Sequence, residues 1–255
     1  MSNLRYVKTQ EQLIEAAENN LEFFDAKMHA IKAWYKTEPG LIEKLIPAPL
    51  SVHPDPMVRI VISRVFVDLM GGMEFGAATF GVNCMYQGKE GIYEITMPME
   101  TEGVVVGGRE TYGEPKKIAD VTASKDGEDC VATVTRHGIT YLELKGKTSE
   151  SLDTASFTDD VYCFKVFPSC EQNKAVDQNP LLVRINMHRT QSVHTKLDGE
   201  IILRESPMDP VVDLPVKEMV SLVWEEGTSS SNASVVEEVD IMSYVPFMHS
   251  RYDSV

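Results

Sequence analysis

The chain has 255 residues, of which 43% are hydrophobic, enough to fill one sizeable core, so we expect a single folded unit over residues 1–255. Its 24 Lys and Arg residues are outnumbered by 39 Asp and Glu residues, and the resulting net charge of −15 argues against nucleic-acid and membrane-surface binding. No apolar run reaches the roughly 18 residues of a membrane span, and the first residues lack the apolar stretch of a secretion signal, so a cytoplasmic protein is expected.

The first predicted element is a helix. Thr9 and Gln12 have the spacing of a capping box. Apolar residues then recur at helical spacing, at Leu13, Ala17, Leu21, Phe24 and Met28. A second, short helical piece is expected over residues 39–45, before Pro47 and Pro49.

From residue 58 onwards, β-branched and alternating stretches predict strands. They are Val58–Met70, Val82–Tyr86, Ile92–Met97, Cys130–Arg136, Thr140–Gly146, Val161–Phe167, Leu181–His188, Ser192–Leu197 and Ile201–Glu205. Turn residues separate many of these strands, for example His137-Gly138. Gly227–Ser234 is expected to be a mobile loop, because it offers little apolar surface to offset the entropy of ordering it. Many short strands and few helices predict a mainly β (α+β) fold, with an antiparallel sheet that curls or closes into a barrel.

Several kinds of functional site are not indicated by the sequence. The six histidines lie far apart, so no metal site is predicted, and His188 and His194 are interpreted as solvated or hydrogen-bonded strand residues. The four cysteines lack C-x-x-C spacing and are interpreted as buried free thiols. No G-x-S-x-G nucleophile motif occurs.

Two adjacent lysines, Lys116 and Lys117, are the most informative feature. Such a pair is usually a solvated turn, but here Val104–Val106 precede it and Ile118-Ala119 follow it, so the pair is expected at the edge of a core. Gly107-Gly108, between the valines and the lysines, is interpreted as a bulge or tight bend.

The lysine pair suggests a nucleophilic amine. A free lysine, with a pKa near ~10.4, is almost wholly charged at neutral pH and cannot attack a carbonyl. Burial and a nearby like charge both lower the pKa of a lysine. Two lysines in one apolar pocket would supply both effects, and they would titrate as a coupled pair.

The segment resembles the acetoacetate decarboxylase family, whose members carry G-R-E, a short spacer and then P-K-K. Further motifs fall in the family's order, over roughly Ala30 to Tyr244. They are Pro47–Leu50, Pro56–Arg59, Gly91–Tyr93, Val193-His194 and Asp213–Glu218.

The resemblance implies a lysine-imine enzyme. Lys116 corresponds to the Schiff-base lysine and Lys117 to the neighbour that perturbs its pKa; the family's enzyme is a standard example of a lysine activated by a neighbouring cation. The imine is expected to act as an electron sink for decarboxylation of a small β-keto acid, with no metal or organic cofactor. A homo-oligomer is also implied.

The family's polar partners match less well. One family glutamate falls in the strand at Ile60–Ile62, where this chain has no carboxylate, and the family arginine belongs near Lys27–His29, where no arginine stands. The second glutamate is assigned to Glu74, against the alternative of an exposed strand or turn residue. Arg109, Tyr93 and Met97 are expected to bind substrate.

Three functions therefore remain open at the level of sequence. The first is a decarboxylase of a β-keto acid. The second is a pyruvate-dependent aldolase-dehydratase that uses the same lysine. The third is a catalytically idle protein that binds a small acid or a lipid-like ligand.

Overall fold

The computed structural model describes residues 6–18, 26–68 and 72–253. Its helices are α1 (Gln10–Glu18), α2 (Glu102–Tyr112) and α3 (Ile241–Tyr244), and 3₁₀ turns cover Ile42–Lys44, Val211–Asp213 and Val245–Arg251. In these ranges no helix is long and apolar enough to cross a membrane.

The N-terminal helix begins as predicted, and its described part ends at Glu18. The capping box is present, because the backbone N of Thr9 donates to Oε1 of Gln12 at 2.9 Å and the backbone N of Gln12 donates to Oγ1 of Thr9 at 3.3 Å. Met28, which the helical pattern included, instead lies in a strand. Leu21 and Phe24 lie outside the described residues.

The strands account for most of the described chain. They are β1 (Ala26–Lys36), β2 (Ser51–Val52), β3 (Val58–Val67), β4 (Met73–Tyr86), β5 (Lys89–Met99), β6 (Lys116–Ile118), β7 (Asp120–Asp126), β8 (Asp129–Arg136), β9 (Ile139–Ser151), β10 (Ser156–Lys165), β11 (Leu181–Leu203) and β12 (Glu218–Glu238).

The sheet closes into a barrel. Strands β5, β4, β3, β1, β12, β11 and β10 follow one another by hydrogen bonding, and β10 pairs with both β5 and β11, which completes the ring. The second half of β11 leaves the ring and pairs with β9, which continues into β8 and β7. The predicted mainly β fold with a closed sheet is thus confirmed, although β5 pairs with β6 and with β10 in parallel.

Three local predictions are wrong, and in each the tertiary context overrides the local signal. Strand β1, rich in alanine and lysine, was not predicted; it is held between β3 and β12. Gly227–Ser234 is not a loop, because it pairs with β11 within β12. Gly107-Gly108 is not a bulge or bend, because it lies within α2 together with the valines before it.

The two faces of the barrel strands have different environments. In β3, residues 58, 60 and 62 belong to the main core, which also contains residues of β7, β8 and β9. The alternate positions 59, 61, 63, 65 and 67 line a cavity inside the barrel. Because side chains alternate along a strand, one stretch of sequence builds both the core and the cavity wall.

The cysteines are predicted to differ in reactivity. Cys84, Cys130 and Cys163 are buried, and burial raises the pKa of each thiol, that of Cys84 to about 12. Cys170 is exposed, so brief iodoacetamide treatment of the native protein at pH 8 should alkylate Cys170 at least tenfold faster than the others. Peptide mass spectrometry measures this, with urea-unfolded protein as the control in which all four react. Rapid native alkylation of Cys163 would contradict the packing around it.

Candidate active site

A cavity of about 410 Å³ occupies the interior of the barrel beneath α2. Most of its wall is apolar. Representative side chains are Val61, Val65, Phe75, Met97, Met99 and Ile185. Charged groups enter this wall at two places, one under α2 and one between β3, β5 and β11.

The first charged group is the pair Lys116 and Glu114. Nζ of Lys116 lies 2.7 Å from Oε2 of Glu114, and each side chain is only about one-tenth exposed. Helix α2 covers the pair closely, because a Cβ added to Gly108 would lie 2.6 Å from both Cδ and Nζ of Lys116 and would also contact Glu114. The glycine therefore makes the space in which the amine sits.

The backbone around Lys116 is fixed by two arginines. Gly113 ends α2 in a left-handed conformation (φ 72°), where glycine is favoured. Nη1 of buried Arg251 donates to the carbonyl oxygens of Gly113 and Phe164, at 2.5 and 2.8 Å. Nη1 of Arg109 donates to the carbonyl oxygens of Lys116 and Arg251, at 2.9 and 3.0 Å. These bonds attach the C-terminal segment to the Lys116 backbone.

The expectation that Lys116 and Lys117 share one apolar pocket is wrong. Neighbouring residues of a strand face opposite ways, and Lys117 lines a second cavity, of about 450 Å³, together with Met208 and Tyr252. Its Nζ donates to the carbonyl oxygen of Met208 at 3.0 Å and lies 3.3 Å from Oδ1 of Asp209, whose side chain is fully buried. Lys117 is therefore engaged in a different polar cluster.

This position gives a prediction for Lys117. Replacement by methionine removes a partner of buried Asp209, so we expect a loss of about 2 kcal/mol of unfolding free energy. The loss is partial because Arg136 still pairs with Asp209, at 2.6 Å. Urea unfolding measures this loss, and Lys125→Met, on an exposed residue, is the control.

The pH dependence of imine trapping should be the same in Lys117→Met as in the wild type. A shift of the trapping profile to alkaline pH would instead mean that the charge of Lys117 lowers the pKa of Lys116.

The second charged group crosses three strands. Arg59 of β3 and Glu94 of β5 flank Gly81 of β4, and Nη2 of Arg59 donates to Oε1 of Glu94 at 2.5 Å. Any Cβ on Gly81 would lie 2.5 Å from Oε2 of Glu94. Burial raises the pKa of Glu94, and Arg59 opposes the shift. The ladder between β4 and β5 is irregular beside Gly81, as at a β-bulge. Such an irregularity interrupts the alternation of side chains, so Glu94 and Met97, three residues apart, both line the cavity.

Arg189 of β11 adds a second guanidinium to this group. Its Nε lies 3.3 Å from Oδ2 of Asp159, and Nη1 of Arg59 lies 3.8 Å from the same oxygen. Nearby, the largely buried Lys32 is paired with Glu225. Burial, followed by the charge of Arg189, lowers the pKa of Lys32 to about 8. The interior of the barrel therefore already holds several cations close together.

The charges that line the cavity sum to a positive value. Three cations, Lys116, Arg59 and Arg189, stand against two carboxylates, Glu94 and Glu114, which gives a formal charge of +1 in a chain of −15. Apolar walls weaken dielectric screening. The cavity is accordingly suited to a small monoanion.

The other predicted site residues have mixed positions. Met97 lines the cavity. Tyr93 lies in the main core, with its ring edge-on to that of Phe164, and Arg109 binds backbone carbonyls; neither lines the cavity. Glu74 pairs with Arg64 at 2.8 Å and its side chain is about half exposed, which fits the alternative interpretation of an exposed strand residue.

The positions of the missing polar partners are apolar surfaces of the cavity. Val61 stands in the strand where the resemblance expects a glutamate, and Met28 in the strand where it expects an arginine, and both face the cavity. Of the charged residues that line it, Lys116 was predicted, whereas Arg59, Glu94, Glu114 and Arg189 were not. A signal was present, since Arg59 and Glu94 each interrupt an apolar strand sequence.

Metal ligands are not grouped in the described part of the chain: no cluster of three or more His, Cys, Asp or Glu side chains has a suitable arrangement.

Comparison with known proteins points to one family. The model of the acetoacetate decarboxylase family matches residues 11–239. Acetoacetate decarboxylase 1 of Mesorhizobium japonicum is 26% identical over 201 residues, 74% of this chain and 77% of that protein. The acetoacetate decarboxylase of Clostridium acetobutylicum is 25% identical over 199 residues, 73% of this chain and 77% of that protein.

Solved structures share the fold. An acetoacetate decarboxylase structure superposes with a TM-score of 0.73 at 18% identity, covering 91% of this chain and 99% of that one. The enduracididine biosynthesis enzyme MppR, in complex with pyruvate, also superposes with a TM-score of 0.73, at 14% identity, covering 85% and 91% of the two chains.

Proposed function

The chain belongs to the acetoacetate decarboxylase family, and from that premise we propose that it is a carbon–carbon lyase in which Lys116 forms a Schiff base with a keto acid. The observation that supports the proposal most strongly is the position of Nζ of Lys116, in an apolar cavity of net positive charge and 2.7 Å from a carboxylate. The positive charge of the cavity favours an anionic substrate, and the amine of Lys116 is placed to react with a keto group of that substrate.

The proposed reaction begins with loss of a proton from the Lys116 ammonium, for which Glu114 is the carboxylate within reach. The neutral amine attacks the keto carbon, and the carbinolamine loses water to give an iminium ion. The bond to the carboxylate carbon then breaks, its electron pair neutralises the iminium nitrogen as an enamine, and carbon dioxide leaves. Protonation of the enamine carbon and hydrolysis release a ketone and restore the amine.

A second candidate is the aldolase-dehydratase reaction of a 2-keto acid on the same lysine. Arg59 and Arg189 favour it, because guanidinium groups stabilise a carboxylate that survives the reaction. In this reaction the enamine attacks an aldehyde and the adduct loses water, while the carboxylate stays on the product.

Three assays separate the alternatives. Borohydride reduction in the presence of a keto acid should add the mass of the reduced adduct to the protein if either lyase reaction operates. Carbon dioxide release from β-keto acids without pyruvate–aldehyde coupling supports the decarboxylase, and the reverse result supports the aldolase-dehydratase. Absence of any reduced adduct at saturating keto acid would overturn both and leave an acid-binding protein.

A further inference from the structure

We propose that Arg59 and Arg189 bind the substrate carboxylate and that the substrate is a keto acid with an extended apolar chain, larger than acetoacetate. The keto group of this substrate rests on the proposed function, whereas its carboxylate and its apolar chain are inferred independently of that function. Four observations carry the inference: unused hydrogen-bond donors, the local charge, the volume of the cavity and the composition of its wall.

The two guanidinium groups have spare donors. Each guanidinium carries five N–H donors. Arg59 uses one in its hydrogen bond to Glu94, and Arg189 uses one towards the thioether of Met28. Nε of each has no acceptor in hydrogen-bond geometry among the described residues. Buried donors without acceptors are costly, and the forked geometry of a guanidinium suits a carboxylate.

The local charge also favours an added anion. Arg59 and Arg189 line the cavity together with one carboxylate, Glu94, whose pKa is raised by burial against the opposing effect of Arg59. Asp159, which contacts both arginines, is not part of the cavity wall. On the cavity side, a substrate carboxylate at this point would therefore meet two guanidinium groups and one carboxyl group, while Asp159 opposes it from outside the wall, 3.3 Å from Nε of Arg189.

The volume of the cavity exceeds the needs of a four-carbon acid. At about 30 Å³ per water-sized group, a cavity of 410 Å³ has room for roughly fourteen non-hydrogen atoms. Acetoacetate would fill roughly half of it. An acid of about ten carbons would fill it without enlarging the barrel.

The composition of the cavity wall determines which kind of chemical group fits the remaining space. Valine, methionine, phenylalanine, isoleucine and alanine side chains surround the cavity, and each buried methylene of a ligand contributes roughly fourfold to binding. At the places where the resemblance expects a polar pair, Val61 and Met28 extend the apolar surface. A linear alkyl chain therefore matches the apolar part of the wall, to which Ser63, Thr79 and residues 229–231 add a smaller hydroxyl-bearing part.

Two titrations test the proposal. Calorimetry with decanoate, which has the acid and the chain but no keto group, should give binding to the wild type. The double variant Arg59→Met/Glu94→Leu removes both members of the pair, so no buried carboxylate is left without a partner. It should weaken decanoate binding at least tenfold. If it does not fold, Arg189→Met is the second variant. Binding of 2-nonanone, which lacks the acid, should change less than twofold. Equal weakening of decanoate and 2-nonanone, or no decanoate binding to the wild type, would overturn the proposal.

Chain length is tested on the amine itself. The concentration for half-maximal reductive trapping should be at least tenfold lower for 3-oxodecanoate than for acetoacetate, and Ala77→Leu, in the apolar wall, should raise it for the longer acid only. Trapping of both acids at equal concentrations would overturn the proposed chain preference. Decanoate binding without trapping of either keto acid would instead refute the Schiff-base function and leave the acid site intact.

Discussion

Lys116→Gln should lower turnover of the keto acid by roughly three orders of magnitude or more, because covalent catalysis is lost with the nucleophile. Glutamine is the appropriate replacement, since its amide can still donate to Glu114, which lies 2.7 Å from the amine in the native chain. A buried carboxylate is thereby kept partnered, and the variant should fold. Steady-state kinetics and thermal unfolding together measure the effect.

The control for this prediction is Lys125→Gln, on a strand residue exposed to solvent. It should retain wild-type turnover and stability. Turnover by Lys116→Gln within tenfold of the wild type, in a preparation free of wild-type protein, would mean that another group performs the chemistry.

The second large effect is expected from Gly108→Ala. Its Cβ would stand 2.6 Å from Nζ and Cδ of Lys116 and would press on Glu114, so the amine must move. Displacement of a reacting group by about 1 Å costs on the order of 100-fold in rate, and we expect a loss of that size in kcat/KM. Alanine is a better helix former than glycine, so α2 itself should not be lost.

Gly107→Ala is the matched control in the same helix, because its added Cβ meets no atom within 4 Å. It should keep activity within a few-fold and gain slightly in stability. Equal loss of activity in the two variants would mean that α2 tolerates no side chain at its surface, and the specific contact with Lys116 would not be the cause.

Local chemistry made part of the fold predictable. The Thr9 and Gln12 side chains form their capping box within a few residues of chain, and the His137-Gly138 turn joins β8 to β9. Both features depend only on neighbouring residues. The paired strand stretches followed from alternation, and with few helices they indicated a closed sheet.

The errors occurred where distant contacts decide the structure. Strand β1 is rich in good helix formers but is held between β3 and β12. Helix α2 contains three β-branched valines and three glycines, and the space left at Gly108 holds the side chains of Lys116 and Glu114. No local pattern reports such contacts, so propensity was overridden.

Only the part of the site that depends on local sequence could be predicted, because the rest is formed by residues that distant contacts bring together. Lys116 was identified from its motif, and its burial was anticipated from the apolar residues around it. Arg59 and Glu94 lie 35 positions apart and meet only because β3, β4 and β5 place them on either side of Gly81. Their pairing depends on strand register. Glu114 lay within reach of sequence reasoning, because it precedes Lys116 by two residues and lines the same cavity.

The most direct test of the Schiff-base proposal is peptide mapping of the protein after cyanoborohydride reduction with a saturating keto acid. We predict one modified lysine, Lys116, at near-stoichiometric yield, with no adduct on neighbouring Lys117 and none on the protein when Lys116 is replaced by glutamine. An adduct on Lys117, or adducts spread over exposed lysines in proportion to their accessibility, would contradict the proposal.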